Sequence, residues 1–105
     1  MSPQSRYEAM IVSLAKLHAI EPGQMFGKPC VKVAGKAFAA FHQDNLVFKL
    51  SGSAHEAALK LKGALLWDPS GKGRPMKQWV AIPGNAKFDE LSYAMAAYGY
   101  VSEDA

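Results

Sequence analysis

Between residues 31 and 50 the side chains change character at every second position, a pattern that a helix would scatter around all its sides. Val31 and Val33 alternate with Lys32 and Ala34. Phe38, Ala40 and His42 alternate with Ala37, Ala39 and Phe41, and Leu46, Phe48 and Leu50 with Val47 and Lys49. A period of two puts one set on each face of a strand. Ala34-Gly35 and Asp44-Asn45 separate the runs, and both pairs tolerate the positive φ of tight hairpin turns. Residues 25–50 are therefore expected to form a three-strand antiparallel meander.

The segments on either side have a different period. Over residues 5–18, Tyr7, Met10, Ile11, Leu14, Leu17 and His18 recur at three- and four-residue intervals, as on the buried stripe of a helix. Ser5 with Glu8 fits a capping box, and Ser2-Pro3 offers an alternative start with proline at the first helical position. Glu21-Pro22-Gly23 is expected to end this segment. Ser53 with Glu56 fits a second capping box, leading a helix whose stripe is Ala57, Ala58 and Leu61, with Leu65 as a further candidate, and which stops at Gly63. Residues 64–67 and 76–82 read as two further strands joined by a loop. A last helix is capped by Asn85, buries Phe88, Leu91, Met95 and Tyr98, and ends at Gly99, with residues 101–105 frayed. The expected order is α-β-β-β-α-β-β-α, an α+β fold with three helices on one antiparallel sheet, in a single domain over residues 1–105.

Composition excludes several classes. No apolar run approaches the ~20 residues that cross a membrane, and the first ten residues show no basic-then-apolar leader. One cysteine, Cys30, leaves no internal disulfide and fits a reducing, cytoplasmic compartment. The net charge of +3 is unevenly spread: every Lys and Arg except Arg6 falls within residues 16–87, where the acids are Glu21, Asp44, Glu56 and Asp68 alone. Such a basic middle attracts anions or, more plainly, keeps the surface soluble.

The most pointed local feature is the stretch 68–77. Ser70, Lys72, Arg74 and Lys77 bring a hydroxyl and three cations to a segment whose glycines leave the backbone amides free to wrap a phosphate. The GxxxxGK[ST] spacing of a nucleotide-binding loop is missing. Asp68 is placed to order the loop, and Trp67 and Trp79 flank it. An exposed tryptophan there would stack on an unpaired base; the commoner arrangement packs both rings beneath the loop. A second candidate is Met25-Phe26-Gly27-Lys28-Pro29-Cys30, where Gly27 allows a close approach and Lys28 or Lys32 could activate the Cys30 thiol. A small buried cysteine is the more ordinary outcome. His18, His42 and His55 fall on three different elements without metal-ligand spacing, and no cofactor motif or acid–base pair is visible.

Met25-Phe26-Gly27, Gly35-Lys36-x-Phe38-Ala39, Leu46-x-Phe48-Lys49-Leu50, Gly73-Arg74-Pro75-Met76 and Trp79-Val80-x-Ile82-Pro83 together resemble the TfoX N-terminal domain, across residues 6–98. The YjbR-like proteins share the same broad architecture. The resemblance implies an α+β fold and supplies no catalytic residues. Two-domain members regulate natural competence in bacteria and carry a further helical domain. Where the family often continues with glycines, this chain has Lys28-Pro29-Cys30.

These observations lead to a non-catalytic binding module. Its working surface would be Lys28, Lys36, Ser70, Lys72, Arg74 and Lys77 with Trp67 and Trp79, and its partner nucleic acid or an acidic protein. The alternatives are a protein-interaction or self-association domain, such as a homodimer paired through open sheet edges, and an enzyme acting on a small anion.

Overall fold

The computed structural model describes residues 2–103. In chain order the elements are α1 (Pro3–Leu17), β1 (Glu21–Met25), β2 (Lys28–Val33), β3 (Lys36–His42), β4 (Asn45–Lys49), α2 (Gly52–Leu59), β5 (Leu65–Trp67), β6 (Met76–Pro83) and α3 (Glu90–Glu103). The strands form one six-stranded sheet in the order β1-β2-β3-β4-β6-β5, with every neighbouring pair antiparallel. The fold is α+β, as expected, with one strand more than the sequence suggested. That strand is β1, over the very residues expected to stop the first helix. An outermost strand accommodates Pro22 because the missing N–H can fall on its unpaired side.

Three two-residue turns set the meander. Phe26 and Gly27 (φ 55° and 74°), Ala34 and Gly35 (50° and 78°), and Gln43 and Asp44 (51° and 64°) all place both central residues at positive φ, the type I′ geometry that matches strand twist. The third turn lies one residue earlier than Asp44-Asn45, since Asn45 pairs with His42. A contact from far along the chain holds it there: the Gly84 N–H donates to the Asp44 carbonyl at 2.9 Å. Gly84 must be glycine for that approach, because a Cβ would lie 2.4 Å from Pro3 and 2.5 Å from the Asp44 oxygen. The alternation expected for β3 is also broken. Val31 faces Ala39 and Lys32 faces Ala37, so Phe38 is a bulged residue and shares the helix-side core with Ala39.

Helix ends depart from the sequence reading in instructive ways. The alternative start of α1 is the real one: Pro3 opens the helix, and the Ser2 hydroxyl accepts from the Ser5 N–H at 3.1 Å. Ser5 is already inside the helix, so the Ser5–Glu8 box cannot form. In α2 the helix begins at Gly52 behind Ser51, with no side-chain cap, and His55 instead meets the Lys77 carbonyl at 2.8 Å. For α3 the cap is Asp89, which accepts from the Ser92 N–H at 3.2 Å, while Asn85 sits in a preceding turn. This helix passes through Gly99 because Ala94, Ala97 and Val101 continue a buried stripe beyond it. Residues 101–103 are therefore helical rather than frayed, and Asp104 and Ala105 lie outside the described residues.

The helices gather on one face of the sheet. Tyr7, Met10 and Leu14 of α1, Ala58 of α2, and Ala94, Ala97 and Val101 of α3 pack on Val31, Phe38, Leu46, Phe48, Val80 and Ile82. Arg6 fastens the two ends of the chain together. Its guanidinium donates to the carbonyls of Gly84 (3.0 Å), Ala86 (2.6 Å) and Phe88 (2.6 Å), pairs with Glu90 at 3.2 Å, and lies 4.1 Å from the Phe88 ring centre. Burial pushes the Glu90 carboxyl up, but the Arg6 hydrogen bond and charge outweigh it and leave the group below its usual range. Truncating Arg6 strands three carbonyls and one carboxylate in a partly buried place. Arg6→Ala should cost about 2–4 kcal/mol in urea unfolding, and Arg6→Lys should recover less than half, since an ammonium cannot span the same fork.

Candidate functional site

The other face of the sheet carries no helix. Its cluster of Cys30, Ala40, Val47, Trp67, Trp79 and Ala81, with Met25, Ala37 and Met76 at the margin, comes entirely from strands. What closes it is the pair of tryptophans. Their ring centres lie 5.3 Å apart, and the residues are only 3% and 5% exposed. Trp67 and Trp79 are thus packed beneath the loop and do not offer the exposed stacking platform that their position allowed. The Trp67 indole N–H donates to His42 Nδ1 at 2.9 Å, which assigns the imidazole proton to Nε2. Burial and the nearby Lys28 charge both lower the His42 pKa from its ordinary 6.5. The stability this pair contributes is therefore present above that value and lost as the pH falls through the lowered one.

Cys30 is buried within this cluster. Burial pushes its thiol up and Lys32 pulls weakly the other way, with a net rise, so the thiol is unreactive rather than activated.

Above the tryptophans two corners of the sheet meet. The Phe26–Gly27 turn joins β1 and β2, while the loop 68–75 follows β5, at the far edge and the opposite end of the sheet. Right-handed strand twist folds such diagonal corners toward each other on one face. Here Phe26, Lys28, Pro69 and Ser70 line a shallow cleft of about 220 Å³, and the Phe26 ring lies edge-on to Trp67 at 6.2 Å. The two stretches singled out in the sequence are thus brought together. The cleft is smaller than the roughly 300–1,000 Å³ of small-molecule sites, and it suits a single flat ring or one side chain.

The loop itself is organised by Asp68. One carboxylate oxygen accepts from the Ser70 N–H (3.2 Å), the Ser70 hydroxyl (2.7 Å) and the Gly71 N–H (3.1 Å); the other accepts from the Gly73 N–H (2.8 Å) and the Arg74 N–H (3.1 Å). The amides expected to wrap a phosphate are therefore already wrapped around the chain's own carboxylate, and the Ser70 hydroxyl is spent with them. The Ser70 hydrogen bond, followed by those backbone amides, holds the Asp68 carboxyl below its usual range.

What the loop presents outward is charge. Lys72 and Arg74 of the loop and Lys77 at the start of β6 are exposed, and none forms an ion pair among the described residues. Lys28 stands on the other side of the cleft, with its ammonium 3.4 Å from the Phe26 carbonyl. Lys36 is not part of this group: it pairs with Val33 at the far end of the β2–β3 ladder from Lys28. Sequence reasoning passed over Phe26, which is 61% exposed. Its φ of 55°, a strain of about 1–3 kcal/mol for an aromatic residue in a turn, shows only in the folded chain. His18, His42 and His55 stay apart, and the described residues hold no group of three or more His, Cys, Asp or Glu placed to bind a metal.

No protein-family model matches the chain, and no curated protein or solved structure matches it either. The likeness to the TfoX N-terminal domain rests on the residue motifs alone.

Asp68→Ala should release the loop without unfolding the domain. The amides of Gly71, Gly73 and Arg74 should exchange with solvent at least about tenfold faster, while the global unfolding midpoint barely moves. The depressed carboxyl sets the pH sense: loop protection is present above the ordinary carboxylate range and lost as the pH falls through the lowered value.

Proposed function

We propose that this chain is a non-catalytic binding module of TfoX N-terminal type that engages the phosphate backbone of nucleic acid. Lys72 and Arg74 make the phosphate contacts, Lys77 and Lys28 extend the basic surface, and Phe26 offers its ring to an unpaired base. The observation that carries this reading is the loop itself. Its backbone is pinned by Asp68 while Lys72 and Arg74 point outward without an ion pair among the described residues, so two cations stand on an ordered support. An ordered cation gives up less conformational entropy on contact than one on a free loop.

Pairing through the sheet edges is the weaker reading. The outermost β1 carries Pro22, and β5 is three residues long with a register break between Leu66 and Trp67. Both features blunt an edge against a further strand. Among the described residues no helix is long and apolar enough to cross a membrane.

Anisotropy titrations with single- and double-stranded oligonucleotides at two salt concentrations test the proposal. Affinity should fall steeply with salt, and Lys72→Glu with Arg74→Glu should weaken binding and flatten the salt slope by about one unit for each phosphate no longer neutralised. Phe26→Ala should cost about 1–3 kcal/mol with single strands and little with duplex. Absence of binding to either form at low salt would remove the nucleic-acid reading.

A further inference from the structure

A second cleft, of about 600 Å³, lies between the turn after α2 and the segment that leads from β6 toward α3. Its lining is Lys62, Gly63, Pro83, Asn85, Ala86 and Lys87. The basic loop precedes Met76 and the cleft adjoins Pro83, so the length of β6, about 23 Å at 3.3 Å per residue, separates them. The two are different places on the molecule.

The chemistry of this cleft is one-sided. Lys62 and Lys87 bring an ammonium each, and neither is in an ion pair among the described residues. Asn85 adds a side-chain amide, and no lining residue is acidic. The backbone amides of Lys62, Gly63, Asn85 and Lys87 make no hydrogen bond among the described residues. Of the lining carbonyls, that of Ala86 is already taken by Arg6 and that of Pro83 by the Ala86 N–H. The backbone groups of the lining are balanced, since the carbonyls of Lys62, Gly63, Asn85 and Lys87 are as unpaired as their amides, so the one-sidedness lies in the two ammonium groups, beside Pro83 and Ala86 as apolar wall.

The geometry points to a binding site for a small organic phosphate monoester. Two ammonium groups match the roughly −1.5 to −2 charge of such a group near neutral pH, and its three terminal oxygens accept more hydrogen bonds than a carboxylate's two. The volume falls within the roughly 300–1,000 Å³ range of small-molecule sites, so it holds a carbon body beside the phosphate, against Pro83 and Ala86.

Amide NMR spectra recorded during titration with phenyl phosphate, at constant ionic strength in a phosphate-free buffer, test this. Saturating shifts are expected at Lys62, Gly63, Asn85 and Lys87 with a Kd of about 1 mM or tighter, and weaker binding of inorganic phosphate. Lys62→Gln with Lys87→Gln should weaken phenyl phosphate at least about tenfold while the rest of the spectrum stays in place. Lys72→Glu with Arg74→Glu should leave it unchanged, which keeps this site distinct from the nucleic-acid surface. No saturable shift at the four amides, an undiminished affinity in the double glutamine variant, or equal binding of inorganic phosphate would overturn the assignment.

Discussion

A six-stranded sheet has two faces, and the helices of this chain cover one. The other is closed by Trp67 and Trp79 lying across Cys30, Ala40, Val47 and Ala81. Each large ring removes roughly 150–250 Å² from water, so two of them do what a fourth helix would otherwise do. Their placement is fixed from below by packing and from the side by the Trp67–His42 hydrogen bond. Because the rings are consumed in closing the face, what stays exposed above them is the rim: the Phe26 turn, Lys28 and the cationic loop.

That rim is built by curvature. The corner made by β1 and β2 and the corner after β5 are far apart in the sheet diagram, and twist brings them together over Trp67. The loop then has two layers of charge. An inner carboxylate, Asp68, absorbs the backbone dipoles, while an outer pair of cations faces solvent. A bound anion would have to displace Asp68 to reach the amides, so contact with a partner falls to the side chains. Such an arrangement is what the proposed nucleic-acid contact requires, since a polyanion engages several exposed cations where a small anion would need the backbone nest.

How far the sequence alone reached follows the range of the forces involved. Alternation in residues 31–50 and helical periodicity in residues 5–18 are local, and the strands and helices they indicate are present. The glycine turn at 34–35 was legible for the same reason, whereas the turn at 26–27 went unread along with the strand before it. The misses came from contacts distant in the chain. Pro22 and Gly23 read as breakers, and only their place at the outer edge of β2 makes them a strand. The Gln43–Asp44 turn is held by Gly84, and α1 is tied down by an arginine whose partners lie 78 to 84 residues away. In the site the cations of the loop were readable, while both tryptophans, assigned to the working surface although burial was the commoner arrangement, turned out to be packed. That Asp68 would take the loop's own amides, that Lys36 would lie elsewhere, and that Phe26 would be the exposed ring all depended on the folded sheet.

The account stands on two tryptophans sealing a face that no helix covers, and they are the only two in the chain. Acrylamide quenching of intrinsic fluorescence reads both directly. The account predicts blue-shifted emission and a quenching constant several-fold below that of free tryptophan, rising to the free value only on unfolding. Emission and quenching at the level of solvated indole in the folded protein would contradict it.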